Sequence, residues 1–167
     1  GIEVPLTLDP AGSVFVVFRK PSPTCQLPLK THSIGVKSVL SLSEHDWALS
    51  FMPGRDVPEE MKLDGLAQWT DLKDEAIVHY SGTATYRTTF NLPHDWGTTE
   101  GERHMLKLGK VAPMARVRLN GQDLGLLWKP PYRMDVTDAL RPGKNALAID
   151  VANLWINRMI GEQKFPD

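Results

Sequence analysis

Two stretches of the sequence carry side chains of the kind that recognise hydroxyl-rich ligands. In LLWKPPYRMDV, Trp128, Tyr132 and Arg133 flank Pro130 and Pro131, a stiff pair able to hold rings without a large ordering cost. In VANLWINRMIG, Trp155, Asn157 and Arg158 lie close together. Aromatic rings give apolar platforms for the C–H faces of pyranoses, and planar amides and guanidinium groups supply the hydrogen bonds that fix hydroxyl orientation. These six residues are the candidate ligand-binding set. The second stretch poses a question of its own. If Leu147, Ile149 and Val151 are the buried face of a strand, that face continues as Asn153, Trp155 and Asn157, because strand side chains repeat every two residues. An unpaired buried amide costs roughly 1 to 3 kcal/mol, so both asparagines must find backbone partners, water or a ligand. Pinning the chain end to backbone is the expected role.

Catalytic chemistry is harder to find. The sequence contains no GxSxG, no Walker loop and no HExxH. Its 20 carboxylates make an acid/base pair conceivable, but an autonomous glycosidase would need two of them about 5 to 10 Å apart in a cleft. In a small β domain such groups are ordinarily solvated surface and turn residues, so no catalytic residue is assigned. The lone Cys25 cannot form an internal disulfide and lies in the Pro-rich run KPSPTCQLPLK as a linker thiol. The five histidines show no zinc-like spacing. No cofactor and no metal ligands are therefore expected, with a structural calcium left open.

Charge narrows the partners further. With 19 basic and 20 acidic residues, the net charge of −1 offers no footprint for nucleic acid or an anionic membrane. The longest uninterrupted apolar run, Val14 to Phe18, is far below the ~20 residues that span a bilayer, so no membrane insertion is expected.

Short period-two runs must position the candidate residues. DWALSFM puts Trp47, Leu49 and Phe51 on one face, and TATYRTTFNL does the same for Ala84, Tyr86, Thr88 and Phe90. RHMLKLG alternates as well, with His104, Leu106 and Leu108 on one side. ARVRLNGQDLG alternates up to Asn120-Gly121, a strong signal for a type I′ hairpin. DVTDALRPGKNALAIDV predicts one helical turn over Thr137 to Leu140, capped by Thr137, a polar turn over Arg141 to Asn145, and a final strand. DVPEEMKLDGL reads as partly helical, with Pro58 suited to a first turn, and VFVVF at 14–18 reads as a fully buried strand. Many short strands with turn signals and little helix point to an all-β class, an antiparallel β-sandwich or barrel with minor helical turns. The chain is too short for a (β/α)₈ barrel, which takes roughly 250 residues.

The runs WTDLKDEAIVHYSGTATYRTTFNLP and LKLGKVAPMARVRLNGQDLGLLWKPPYRMDVTDALRPGKNALAIDVANLWINRMIGEQKFPD resemble the C-terminal galactose-binding-like β-sandwich of bacterial α-L-rhamnosidases of glycoside hydrolase family 106. They are also similar to the sugar-binding domain of family 2 glycosidases, and both likenesses imply an antiparallel β-sandwich of jelly-roll type. The resemblance covers roughly residues 46 to 167, and PLTLDPAGSVFVVFRKP resembles the strand that closes the preceding domain. It implies that the catalytic carboxylates lie on an upstream barrel of the same polypeptide. It further implies that this chain is a non-catalytic accessory module of a secreted or periplasmic hydrolase acting on oligo- or polysaccharide. On this reading residues 1–35 are a strand and Pro-rich connector left from a preceding domain, and residues 36–167 are the sandwich. The opening Gly1 and the strand-like run that follows at once fit a part of a longer polypeptide. The alternative is a purely structural or protein-interaction sandwich, which predicts an exposed apolar patch and no ligand.

Overall fold

A computed structural model of the chain describes residues 4, 6, 8, 12–18, 36, 38–53, 57–94, 96, 101–111 and 113–164. The chain divides into two compact units, Gly1–Ser41 and Leu42–Asp167. In the first, none of the described residues belongs to a helix or strand, and Val14 to Phe18 are all exposed. The expected buried strand is therefore not formed: among the described residues the run has no ladder partner, and a strand needs one to satisfy its backbone N–H and C=O groups. Cys25 lies outside the described residues.

The second unit is built on a six-stranded antiparallel sheet. Its strands are β1 (Trp47–Phe51), β2 (Glu60–Leu63), β3 (Thr83–Leu92), β5 (Met114–Leu119), β6 (Gln122–Leu127) and β8 (Gly143–Ala152), in the order β2-β1-β3-β8-β5-β6. A two-stranded sheet of β4 (Met105–Gly109) and β7 (Tyr132–Asp135) forms the second layer of the sandwich. Two helices complete it, α1 (Glu75–Val78) and α2 (Ile156–Lys164), with 3-10 turns at Trp69–Asp71 and Thr137–Ala139.

The period-two pattern sets which face is core. Trp47, Leu49 and Phe51 on β1, Ala84, Tyr86, Thr88 and Phe90 on β3, and Ala115, Val117 and Leu119 on β5 are buried, as their alternation predicts. Cross-strand register joins them: Tyr86 lies opposite Leu49 on one side and Ile149 on the other. At the β1 end the core is aromatic. Phe51 meets Tyr80 edge-on at 4.8 Å, Trp69 stacks on Tyr86 at 6.2 Å, and Trp47 meets Tyr86 edge-on at 6.3 Å. The buried Tyr86 hydroxyl donates to Ala67 O (3.0 Å), and burial pushes its pKa up to about 12. The Asn120-Gly121 hairpin forms as its residue types require, with φ of 54° and 82° at the two turn positions.

Three local expectations are corrected. DVPEEMKLDGL is not helical where it was expected to be: Glu60–Leu63 is β2, because Trp47 to Ser50 supply a ladder for it and pairing overrides local helix preference. Thr137 is not a cap. It opens the 3-10 turn, while Asp135 accepts from its hydroxyl (2.6 Å) and its backbone N–H (3.0 Å), which holds the Asp135 carboxyl below the usual range. The strand phase also does not run on through Asn157. β8 ends at Ala152, and Asn157 lies in the first turn of α2.

Candidate functional site

The sheet register decides where the six candidate residues lie. Met114 opens β5 opposite Ala152, the last residue of β8, and Ala115 faces Leu127, the last residue of β6. Trp128 follows β6, while Trp155, Asn157 and Arg158 follow β8, so both groups leave the sheet at the same end. Tyr132 reaches that end too, its hydroxyl donating to Pro113 O (3.0 Å) just ahead of β5. Arg133 follows it on β7, exposed. The Pro130-Pro131 peptide between Trp128 and Tyr132 is cis.

Within this common end the six residues differ in what they have left to offer. Trp128 and Trp155 are 67% and 77% exposed, so their rings are surface features, whereas Trp47, Trp69 and Tyr86 are core. The Asn157 amide donates to Val78 O (2.7 Å) and Tyr80 O (3.3 Å). Asn153 does the same work from the other side, donating to Tyr80 O (2.8 Å) and accepting from Gly82 N (2.9 Å). The Ser81 hydroxyl donates to Leu154 O (3.1 Å). The two asparagines thus tie the start of α2 to the α1–β3 connection, in the backbone-pinning role that their types suggest. Arg158 pairs with Glu162 at 2.7 Å, one turn along the helix.

Helix α2 rests on the body by its small and polar side. Asn157 and Gly161 face it, and Gly161 packs so closely that a Cβ there would lie 2.8 Å from His79 Cβ and Cγ. The opposite side carries Ile156, Met159 and Ile160, all exposed, and Leu154 and Trp155 just ahead of the helix are exposed as well. An ordinary surface helix buries its apolar stripe and exposes its polar one; α2 does the reverse. The sequence gives no direct sign of this, because the run looks like a strand continuing, and only the tertiary contact at Gly161 fixes which side turns inward.

The glycine contact makes a testable prediction. In an exposed helix interior, Gly→Ala should stabilise by roughly 0.5–1 kcal/mol. Gly161→Ala should instead destabilise the domain by about 1–3 kcal/mol, because the added methyl overpacks His79. Urea unfolding followed by tryptophan fluorescence would decide the sign, and a stabilised variant would mean that α2 is free to shift.

Among the described residues, no group of three His, Cys, Asp or Glu side chains is arranged to hold a metal ion, and no helix is long and apolar enough to cross a membrane.

Residues 65–166 fit the family described as "glycosyl hydrolase 2 galactose-binding domain-like". In sequence, 120 residues are 38% identical to a protein of Formosa agariphila that carries a provisional beta-glucuronidase name; the match covers 72% of this chain and 10% of that one. In structure, the chain is similar to a rhamnosidase from Novosphingobium sp. PP1Y, with a TM-score of 0.76 and 35% identity over 90% of this chain and 14% of that enzyme. A beta-glucuronidase of Bifidobacterium dentium, complexed with coumarin-3-O-glucuronide, aligns with a TM-score of 0.52 and 26% identity over 64% of this chain and 19% of that one. The chain therefore spans only a small part of the length of each relative.

Proposed function

Because the chain belongs to the glycosyl hydrolase 2 galactose-binding domain-like family, we propose that it is a non-catalytic accessory sandwich of a larger glycoside hydrolase, secreted or periplasmic, and that it packs against the catalytic domain of the same polypeptide. The observation that carries this reading is the inverted helix α2. Its apolar side is exposed while asparagines and a glycine hold it to the sheet. A rigidly mounted, outward-facing apolar stripe is what a packed interdomain contact needs. The exposed run Val14 to Phe18 fits the same picture as a strand of a preceding domain, ahead of a Pro-rich connector.

A second reading, that this end binds sugar, is supported by the exposure of Trp128, Trp155, Arg133 and Arg158. Against it, the groups that would orient hydroxyls are largely engaged, Asn157 with backbone and Arg158 with Glu162. The neighbours of Trp155 on the helix are Ile156, Met159 and Ile160, which suit a protein surface better than a glycan.

Two measurements separate these readings. The 167-residue chain is expected to turn over neither aryl rhamnosides nor aryl glucuronides; activity lost on replacing one of its own carboxylates would overturn the non-catalytic role. In the full-length polypeptide, Met159→Glu combined with Ile160→Glu should split a shared melting transition in two and speed proteolytic release of the sandwich. If that variant melts as the parent does, while Trp155→Ala abolishes binding on a glycan array, the docking reading is wrong and the sugar reading stands.

A further inference from the structure

The face of the six-stranded sheet turned away from the core carries an ordered row of charge that the docking role does not use. Register aligns Lys62 with Ala48, Ala48 with Arg87, Arg87 with Ala148, and Ala148 with Arg118. Residues so aligned share one face, so the row reads cation, alanine, cation, alanine, cation across β2, β1, β3, β8 and β5. Neighbouring strands are about 4.8 Å apart, which sets successive cations about 10 Å apart at their backbones.

The alanines make this row a trough rather than a ridge. Ala48, Ala146 and Ala148 floor a shallow depression of about 630 Å³, with Lys62, Arg87 and Arg118 among its lining. The three cations are engaged to different degrees. Arg118 is bound to Asp150 at 2.7 Å. Arg87 donates only to the Ser50 hydroxyl (2.5 Å), and among the described residues no carboxylate pairs with Arg87 or Lys62. Asp46, Asp64 and Thr89 also line the trough, where the two carboxylates can accept from hydroxyl groups and the Thr89 hydroxyl can accept or donate.

We infer that this trough binds an acidic oligosaccharide, one that carries a carboxylate on alternate sugar units. A pyranose unit advances along a glycan by about one strand spacing, so carboxylates on every second unit match cations on every second strand. The bonds gained are charge-assisted, and Arg87 can form the bidentate kind. A neutral glycan has less to gain: Trp47 is buried, and no exposed aromatic ring among the described lining residues offers a platform. Arg87 and Lys62, which pair with no carboxylate among the described residues, supply the attraction, the alanines the space, and the flanking carboxylates and Thr89 the hydroxyl contacts.

The test is calorimetric titration of the 167-residue chain at low and at moderate salt with three probes. These are a hexameric oligogalacturonate, an oligosaccharide of alternating uronate and neutral sugar, and a neutral cello-oligosaccharide. The alternating oligosaccharide should bind most tightly, and the neutral one should not bind measurably. Arg87→Gln should weaken the alternating ligand at least tenfold, and Arg87→Gln with Lys62→Gln should abolish it. Because both residues are exposed, the melting temperature should stay within a degree or two. Lys107→Gln, on the other sheet, is the control and should leave affinity unchanged. Equal binding of neutral and acidic probes, equal weakening by Lys107→Gln, or no effect of Arg87→Gln would each overturn the proposal. All of these outcomes are independent of the α2 contact, so failure here would leave the docking role standing.

Discussion

Replacing Asn145 with leucine should destabilise the domain by about 3–5 kcal/mol, more than most single substitutions of similar volume, because it breaks a buried polar network rather than one bond. Asn145 is 0% exposed. Its amide nitrogen donates to Arg141 O (2.8 Å) and Gly143 O (2.9 Å), and its oxygen accepts from Arg141 N (2.9 Å) and Asn120 Nδ2 (2.8 Å). Asn120 in turn donates to Ala139 O (2.8 Å) and accepts from Ala146 N (3.0 Å). The pair therefore closes the β5–β6 turn, the 3-10 turn and the start of β8 onto one another. Leucine leaves those backbone groups without partners in a buried site. Equilibrium urea denaturation measures the cost, and a loss below about 1 kcal/mol would mean that water takes over the bonds. The same network gives Asn120, at positive φ, a second reason to be asparagine besides its turn geometry.

An effect of similar size is expected at the opposite end of the core. Trp69 is 5% exposed and has Phe51, Tyr80 and Tyr86 around it, at centroid distances of 6.4, 6.1 and 6.2 Å. Trp69→Ala should cost about 3–5 kcal/mol through lost burial and the cavity left behind. Trp69→Phe should behave differently. The indole N–H is buried and finds no partner among the described residues, so a ring without that donor gives up area but also removes an unpaired polar group. A loss under about 1.5 kcal/mol is expected for phenylalanine, within the range of volume-similar apolar swaps. Should phenylalanine prove as damaging as alanine, the indole N–H has a partner and the ring is not held by packing alone.

Much of the fold was legible because a half-buried strand writes its inward face into every second residue. The long strands β3 and β8 and the hairpin at Asn120-Gly121 were readable for that reason, as were the core roles of Trp47 and Tyr86. What was not legible depends on partners distant in the chain. Glu60–Leu63 becomes a strand because β1 is there to receive it, and Val14 to Phe18, although apolar enough, form none without a ladder partner. At the candidate site, residue type pointed to Asn153 and Asn157 as ties to backbone, and their bonds to residues 78–82 bear this out. The helix that Asn157 belongs to was missed. A nine-residue helix with its apolar side outward has no inward stripe for periodicity to detect, and the glycine that seats it is recognisable only beside His79. The cationic row was equally hidden, since Lys62, Arg87 and Arg118 come from separate strands and only register aligns them.

The position of β8 bears on how the protein is made. Of the strands of the large sheet it is the last in the chain, yet it lies in the interior of the sheet, paired with β3 along ten positions and with β5 along six. During vectorial synthesis, β1 and β2 can pair as soon as they emerge, and β5 with β6 as one hairpin. The two halves have nothing between them until residue 152 has been translated. Until then β3 and β5 each present an open edge, the kind of surface that recruits foreign strands. At translation rates of about 5–20 residues per second, that exposure lasts for seconds. A nascent chain of this type depends on β8 to seal the sheet, and anything that delays or shortens that strand leaves two halves that have no route to each other.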